Sequence, residues 1–202
     1  EIGLKTDLAD GRVRLNGAMF FYEYDNLQYQ ATDPELFQGG VGNVPESEIY
    51  GAEIELGAFL TDSLVFDARI ALLETEITAS HLALDNVAGE RRMNALLAQG
   101  FSKFGPEIQI ARAEEIADVE GNELPKTPSF TANLALSYNK SIDGFGDIGG
   151  TLSYTHRGDF KHRMFNNPLT DDVDSYDTLD LVIRILPSDS NWRLELIAKN
   201  LT

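Results

Sequence analysis

Few residues of this chain have the types and spacing that catalysis or metal binding needs. The three histidines, His81, His156 and His162, fall in or near long polar stretches. The separation of His156 from His162 matches no zinc-ligand spacing, and loop surface accounts for them. Glu53 and Glu55 stand two apart on one strand face, which suits a carboxylate pair of the glycosidase kind. A charge-lined polar surface uses the same spacing and is the simpler reading. Asp171, Asp172 and Asp174 crowd one loop, but without the glycine and distal glutamate of a calcium loop. Arg91 and Arg92 could meet an anionic ligand such as a ferric chelate, and a helix surface explains them as well. With no cysteine in the chain, thiolate nucleophiles, thiolate zinc sites and disulfides are all excluded. The expectation is a protein that is not an enzyme, with no catalytic, metal or cofactor-binding residue. No substrate-binding residue can be named from the sequence.

The elements that would position any site are more legible. The stretch Glu123–Asn139, ELPKTPSFTANLALSYN, opens with Pro125 and Pro128 and then alternates without a fault. Phe130, Ala132, Leu134, Leu136 and Tyr138 share one face, and Thr131, Asn133, Ala135, Ser137 and Asn139 share the other. The prolines mark the irregular entry to the strand, since they cannot donate to a sheet ladder. Its length is that of a tilted membrane-spanning β-strand, roughly 9–11 residues. The pattern recurs at Glu1–Leu8, from Val13 through the aromatic cluster Phe20-Phe21-Tyr22-Glu23-Tyr24, and at Glu48–Leu60. It recurs again at Leu64–Leu72, Ile148–Arg157, Tyr176–Leu186 and Trp192–Asn200. About eight strands result. Short turns near Asp10, Asp62, Gly144 and Asp189 alternate with long connections at Ala31–Asn43, Ala79–Asn122 and Gly158–Ser175. In an up-and-down antiparallel sheet this puts every short turn at one end and every long loop at the other, as in outer-membrane barrels. Within the long segment 79–122, Glu90–Ala98 reads as a helical turn or two, with Met93, Leu96 and Leu97 on one face.

Composition narrows the function classes. With 16 basic against 33 acidic residues, the formal charge is −17, which argues against nucleic-acid binding. No window approaches the roughly 18–20 apolar residues of a membrane-spanning helix. The N-terminus shows no basic region followed by an apolar core, and Glu1 already lies in strand pattern. Both ends read as cut, so a fragment of a longer protein is expected.

The polar face carries charges that a definite register would pair. A four-residue turn at Asp10 sets Asp7 opposite Arg14, and three residues at Asp62 set Glu55 opposite Arg69. A four-residue turn, Ser188–Asn191, sets Arg184 opposite Glu195 and Asp180 opposite Lys199. Apolar partners such as Ile54 with Ile70 and Ile183 with Leu196 match in the same register. These pairs suit an enclosed wet lumen and a solvated outer face alike.

Several segments resemble TonB-dependent outer-membrane receptors. They are Glu1-Ile2-Gly3-Leu4-Lys5-Thr6, the aromatic cluster Phe20–Tyr24 with Asn26, and Gly51-Ala52-Glu53-Ile54-Glu55. Leu124-Pro125-Lys126-Thr127-Pro128-Ser129-Phe130 and Lys199-Asn200-Leu201-Thr202 complete the set. The resemblance covers nearly the whole chain apart from 79–122. It implies an all-β, antiparallel, up-and-down transmembrane β-barrel segment, the C-terminal portion of a barrel of about 22 strands. Residues 79–122 would then be a long external loop, with the plug domain absent. The charge pairs named above would face the lumen in a structural role. The implied function is uptake of a scarce nutrient, a ferric siderophore or similar chelate, across the bacterial outer membrane. The implied partners are the lipid bilayer, lipopolysaccharide, the nutrient at the external loops, and an inner-membrane energising protein reached through a missing N-terminal part. The alternatives are a small closed eight-stranded membrane barrel of structural or adhesive role, and a soluble ligand-binding barrel.

The register of the last hairpin gives the first prediction. Replacing Arg184 by Glu should destabilise that hairpin by up to about 1 kcal/mol. Adding Glu195→Arg should restore part of the loss, as read by thermal unfolding of the refolded barrel.

Overall fold

The computed structural model describes residues 1–32 and 39–202. The elements run β1 (Ile2–Leu8), β2 (Val13–Thr32), β3 (Gly39–Phe59), β4 (Leu64–Ile77), β5 (Leu82–Leu84), α1 (Asn86–Ala98), α2 (Pro106–Ala113) and β6 (Ile116–Asp118). They continue with β7 (Phe130–Ile142), β8 (Gly146–Arg157), β9 (Phe160–Lys161), β10 (Asp172–Val173), β11 (Tyr176–Pro187) and β12 (Leu194–Ala198). Eight of the strands form one antiparallel sheet in the order β1-β2-β3-β4-β7-β8-β11-β12. Among the described residues, neighbours in that sheet follow one another in the chain once the small ladders β5–β6 and β9–β10 are set aside. β1 and β12 are its two edges, so the sheet is an open wall.

Tight turns close the short end. Ala9, Asp10 and Gly11 take φ of 53°, 55° and 83°, and the N–H of Arg12 donates to the carbonyl of Ala9 at 3.1 Å. Left-handed backbone is cheap for Gly and tolerable for Asp, which is why this turn sits where it does. Gly146 has φ 126°, and a Cβ there would lie 2.1 Å from the carbonyl oxygen of Leu186. No other residue fits that corner.

The registers put apolar side chains in rows across the wall. Ile2, Met19, Ala52, Leu72 and Phe130 are successive cross-strand partners. Ile2 is 83% exposed, Met19 69% and Leu72 52%, so this face has no covering layer. Leu136, Leu194 and Leu196 are exposed as well, and Leu134, Ile183 and Ile185 are half-buried by sheet neighbours alone. Towards the long-loop end the same face changes character. Phe21 and Tyr50 form one row, and Glu23, Glu48 and Glu76 form the next.

The buried core lies elsewhere, beneath the long connections. Val44, Ile77, Ala83, Val119, Leu124 and Met164 pack together, with Leu27, Tyr29, Ile49 and Phe165 against them. Strict alternation would put Val44 and Ile49 on opposite faces. The left-handed Asn26 (φ 57°), which falls opposite Pro45, marks the place where alternation breaks and Leu27, Tyr29 and Val44 join the core. The Leu-Pro-Lys-Thr-Pro segment fastens this cap to the wall. Leu124 N–H donates to Thr75 Oγ1 at 3.0 Å, and Asn122 Nδ2 donates to the carbonyl of Met164 at 2.9 Å.

Several boundaries differ from expectation. Ala31, Thr32 and Gly39–Asn43, expected as loop, are strand residues. Ala31 pairs with Gly40 and Gln28 with Asn43, so β3 starts well before Glu48. The remainder of that loop, 33–38, lies outside the described residues. Helix α1 starts before Glu90, and α2 was not foreseen. The final strand is the shorter Leu194–Ala198. Helix α1 begins where Asp85 caps it, accepting from Val87 N and Ala88 N. Helix α2 has Pro106 in its first turn, where no amide hydrogen is needed.

Ile77 is wholly buried at the centre of the cap. Ile77→Ala should cost about 2–5 kcal/mol locally. Hydrogen exchange should speed up across 79–122 while β7 and β8 stay protected.

Candidate functional site

The polar face of the wall and the cap above its long-loop end are where chemistry-bearing side chains gather. On the polar face, Arg14 Nε meets Asp7 Oδ1 at 2.9 Å and Arg184 Nε meets Glu195 Oε1 at 2.7 Å. Arg69 Nε stands 3.7 Å from Glu55 Oε1, and Asn16 donates to the other oxygen of Glu55 at 3.2 Å. Each of these partners is directly opposite in the sheet. All three pairs are solvent-exposed, so each is worth at most about 1 kcal/mol.

The expected Asp180–Lys199 ion pair does not form. Pairing is regular only as far as Leu181 opposite Ala198. Beyond it, Asn200 takes φ 54°, its N–H donates to Asp180 Oδ1 at 2.9 Å, and the N–H of Leu201 donates to the carbonyl of Leu179 at 2.9 Å. Unbroken register would set Asn200, not Leu201, beside Leu179. The strand thus holds one extra residue at Lys199–Asn200, a β-bulge that moves Lys199 out of line with Asp180. Asparagine accepts the left-handed conformation that this requires.

The cap is braced by one cation. Arg163 Nη1 lies 2.6 Å from Asp85 Oδ1, and its Nη2 lies 2.6 Å from Asp171 Oδ1. Nη2 also donates to Thr170 Oγ1 at 3.0 Å, and the guanidinium stands 5.2 Å from the centre of the Phe165 ring. Asp171 is completely buried and further accepts from the backbone N–H of Asn167 at 3.0 Å. Burial pulls the Arg163 pKa down, but the bonds to Asp85 and Asp171 outweigh it and hold the value above the usual one. Asp85 caps α1 at the same time, so it ties the start of that helix to the 158–175 segment, in addition to the Asn122–Met164 bond.

Smaller contacts complete the cap. Arg92 reaches Glu114 at 2.8 Å and Glu115 at 3.0 Å, and Arg91 is exposed on the same helix. Ser80 Oγ donates to Asp118 at 2.6 Å, as do the backbone N–H groups of His81 and Glu120. These bonds, Ser80 first, hold the Asp118 carboxyl below the usual carboxylate range. Tyr29 Oη and His81 Nε2 are 2.8 Å apart.

The candidate chemical groups of the sequence do not converge. His81 is by β5, His162 is exposed in the connection between β9 and β10, and His156 is within β8 rather than in a loop. His156 Nδ1 and Tyr154 Oη both meet Asp177 Oδ1, at 2.7 Å and 2.6 Å. Asp171 is a buried partner of Arg163, while Asp172 pairs with Lys161 at 2.6 Å. Among the described residues, no three His, Cys, Asp or Glu groups stand where they could hold a metal. Arg163, Asp85 and Asp177 were not singled out in the sequence. Asp85 had a readable signal, an aspartate just before a helical run. Arg163 had none, because the partner that makes it a brace, Asp85, is 78 positions away.

Removing the brace should therefore have a defined cost. Arg163→Met leaves Asp171 buried and unpaired, at about 3–5 kcal/mol. Limited proteolysis should then cut both 79–122 and 158–175 faster, with the sheet strands still resistant.

The comparisons with known proteins fit this geometry. The family model described as TonB dependent receptor-like, beta-barrel matches residues 1–201. The probable TonB-dependent siderophore receptor PiuA of Acinetobacter baumannii is 26% identical over 138 residues, which is 68% of this chain and 15% of that protein. The crystal structure of PiuA superposes with a TM-score of 0.65 at 21% identity, covering 98% of this chain and 23% of PiuA. The ferric yersiniabactin uptake receptor FyuA of Yersinia pestis gives 0.64 at 14% identity, covering 98% of this chain and 24% of FyuA. The matched stretch thus spans 15% of the length of the curated relative, and the whole fold 23% of the PiuA structure. It belongs to the TonB-dependent receptor β-barrel family, whose members reside in the bacterial outer membrane.

Proposed function

We propose that this segment is the C-terminal portion of a larger barrel that takes up a scarce nutrient, a ferric siderophore or similar chelate, across the outer membrane. PiuA is described as a probable siderophore receptor and FyuA as a ferric yersiniabactin uptake receptor, which supports that class of cargo. The observation that carries the membrane part of the reading is the bounded apolar face. On β7 it runs from Phe130 to Tyr138, about nine residues, which is the length a tilted strand needs to cross the hydrocarbon layer. Rings stand at both limits, as interfacial aromatics do, and beyond them come Lys140 at one end and Glu48 and Glu76 at the other. Lipid and lipopolysaccharide are the solvent this face suits.

On this reading the charge pairs Asp7–Arg14, Glu55–Arg69 and Arg184–Glu195 line the lumen, with Asp180 and Lys199 nearby. The cap over 79–122 and 158–175 is external and meets the nutrient. Energy comes from an inner-membrane protein acting through a part of the receptor N-terminal to this segment. A closed eight-stranded barrel is disfavoured because β1 and β12 are opposite edges of the sheet.

The test uses the full-length receptor as the sole chelate receptor of an iron-starved strain. At least one ferric chelate should support growth, and removal of the energising protein should abolish it. Correct insertion in the outer membrane with no growth on any chelate would overturn the reading.

A further inference from the structure

We infer that Arg157 is a specificity-determining cation for the cargo, gripping a planar oxyanion such as a carboxylate or catecholate edge of the chelate. This rests on the uptake reading above and narrows it to anionic chelates. Arg157 is the last residue of β8, directly between Thr131 of β7 and Tyr176 of β11. Alternation sets it on the polar face with Thr151, Ser153 and Thr155, at the end of the wall that meets the cap. Its guanidinium carbon lies 4.4 Å from the centre of the Phe160 ring.

What distinguishes Arg157 is the missing partner. The guanidinium groups of Arg12, Arg14, Arg69, Arg92, Arg163 and Arg184 all have a carboxylate within ion-pair reach. Arg91 and Arg193 have none but are exposed, so water serves them. Arg157 is half-buried, its Nε is fully buried with no hydrogen-bond partner, and no carboxylate among the described residues pairs with it. Among the described residues, the other half-buried arginine, Arg163, has two carboxylates, whereas Arg157 has none. Burying Nε without an acceptor is costly, and stacking of the guanidinium on Phe160 returns only about 0.5–2 kcal/mol. A ligand oxyanion would remove the remaining cost, and the guanidinium fork fits one with two parallel bonds. The neighbours suit the same guest. Tyr176, 48% exposed, is the β11 partner of Arg157, and Thr131, which carries a hydroxyl, is its β7 partner.

The experiment measures binding of two probes to the full-length receptor in outer-membrane vesicles: an anionic ferric tricatecholate and a neutral ferric trihydroxamate. Arg157→Gln should weaken the tricatecholate about ten- to hundred-fold, as expected for losing hydrogen bonds to a charged group, and leave the trihydroxamate unchanged. Arg157→Lys keeps the charge but loses the fork, and should fall in between; it also serves if the Gln variant fails to assemble. An unchanged affinity for the tricatecholate overturns the assignment. So does an equal loss for both probes, which would mean that Arg157 pairs with another part of the receptor. Wild-type binding of the neutral probe alone also overturns it while leaving the uptake reading intact. Failure of the wild type to bind any ferric chelate overturns both.

Discussion

Every backbone N–H and C=O in the wall must find its partner on a neighbouring strand, because hydrocarbon offers none. That requirement fixes register, and register fixes which side chains share a face. The row Ile2, Met19, Ala52, Leu72, Phe130 exists only because four consecutive ladders keep step. A slip of one residue in any of them would carry charges such as Arg14 or Glu55 into the apolar face. The close approach at Gly51 belongs to the same constraint. A Cβ there would lie 2.5 Å from the carbonyl oxygen of Leu72 and 2.8 Å from the Phe20 ring, so this backbone approach is open only to glycine.

The wall itself has almost no interior, and the buried residues collect in the cap instead. A cap of this size needs more than propensity to stay ordered. Its apolar cluster contributes through burial, at roughly 1.5–3 kcal/mol for each large aliphatic side chain. The Asp85–Arg163–Asp171 triad contributes mainly by specifying how the segments meet. Buried ion groups are poor sources of net stability, yet a misdocked cap would strand three charges out of water. The polarity of the wall inverts to accommodate this arrangement. Ile49 and Ile77 are apolar on a face that farther along carries Glu53, Glu55, Asp67 and Arg69, while the opposite face turns from Leu72 to Glu74 and Glu76.

The eight strands were legible because period-two alternation is local and strong. The pairs at Arg14, Arg69 and Arg184 followed from register, since the turn lengths read at Asp10, Asp62 and Ser188–Asn191 imply the registers observed, although pairing in the last hairpin stops at Ile185 opposite Leu194. The Asp180–Lys199 pair failed for the converse reason: a bulge at Asn200 leaves no trace in alternation. The extension of β2 and β3 was hidden because Gly39, Gly40 and Gly42 look like loop residues, yet glycine is tolerated where two strands pair with each other. The brace was illegible in principle. Nothing local distinguishes Arg163 from other loop arginines, and its role depends on tertiary proximity. The cargo's identity has the same standing, because residues of a binding surface carry no periodic mark.

The span of the Asp85–Arg163 contact also constrains the order of assembly. Between those residues lie 77 others, including all of β7 and β8. Closing so long a segment from a disordered chain costs entropy that grows with the logarithm of its length. Once β4, β7 and β8 are zipped, the two ends already stand at the same rim and little remains to be lost. Loop-closure entropy therefore predicts that the wall closes hairpin by hairpin first and that the cap locks late. Until then Asp171 and Arg163 stay hydrated, and the cap's apolar side chains are open to whatever escorts the chain to the membrane.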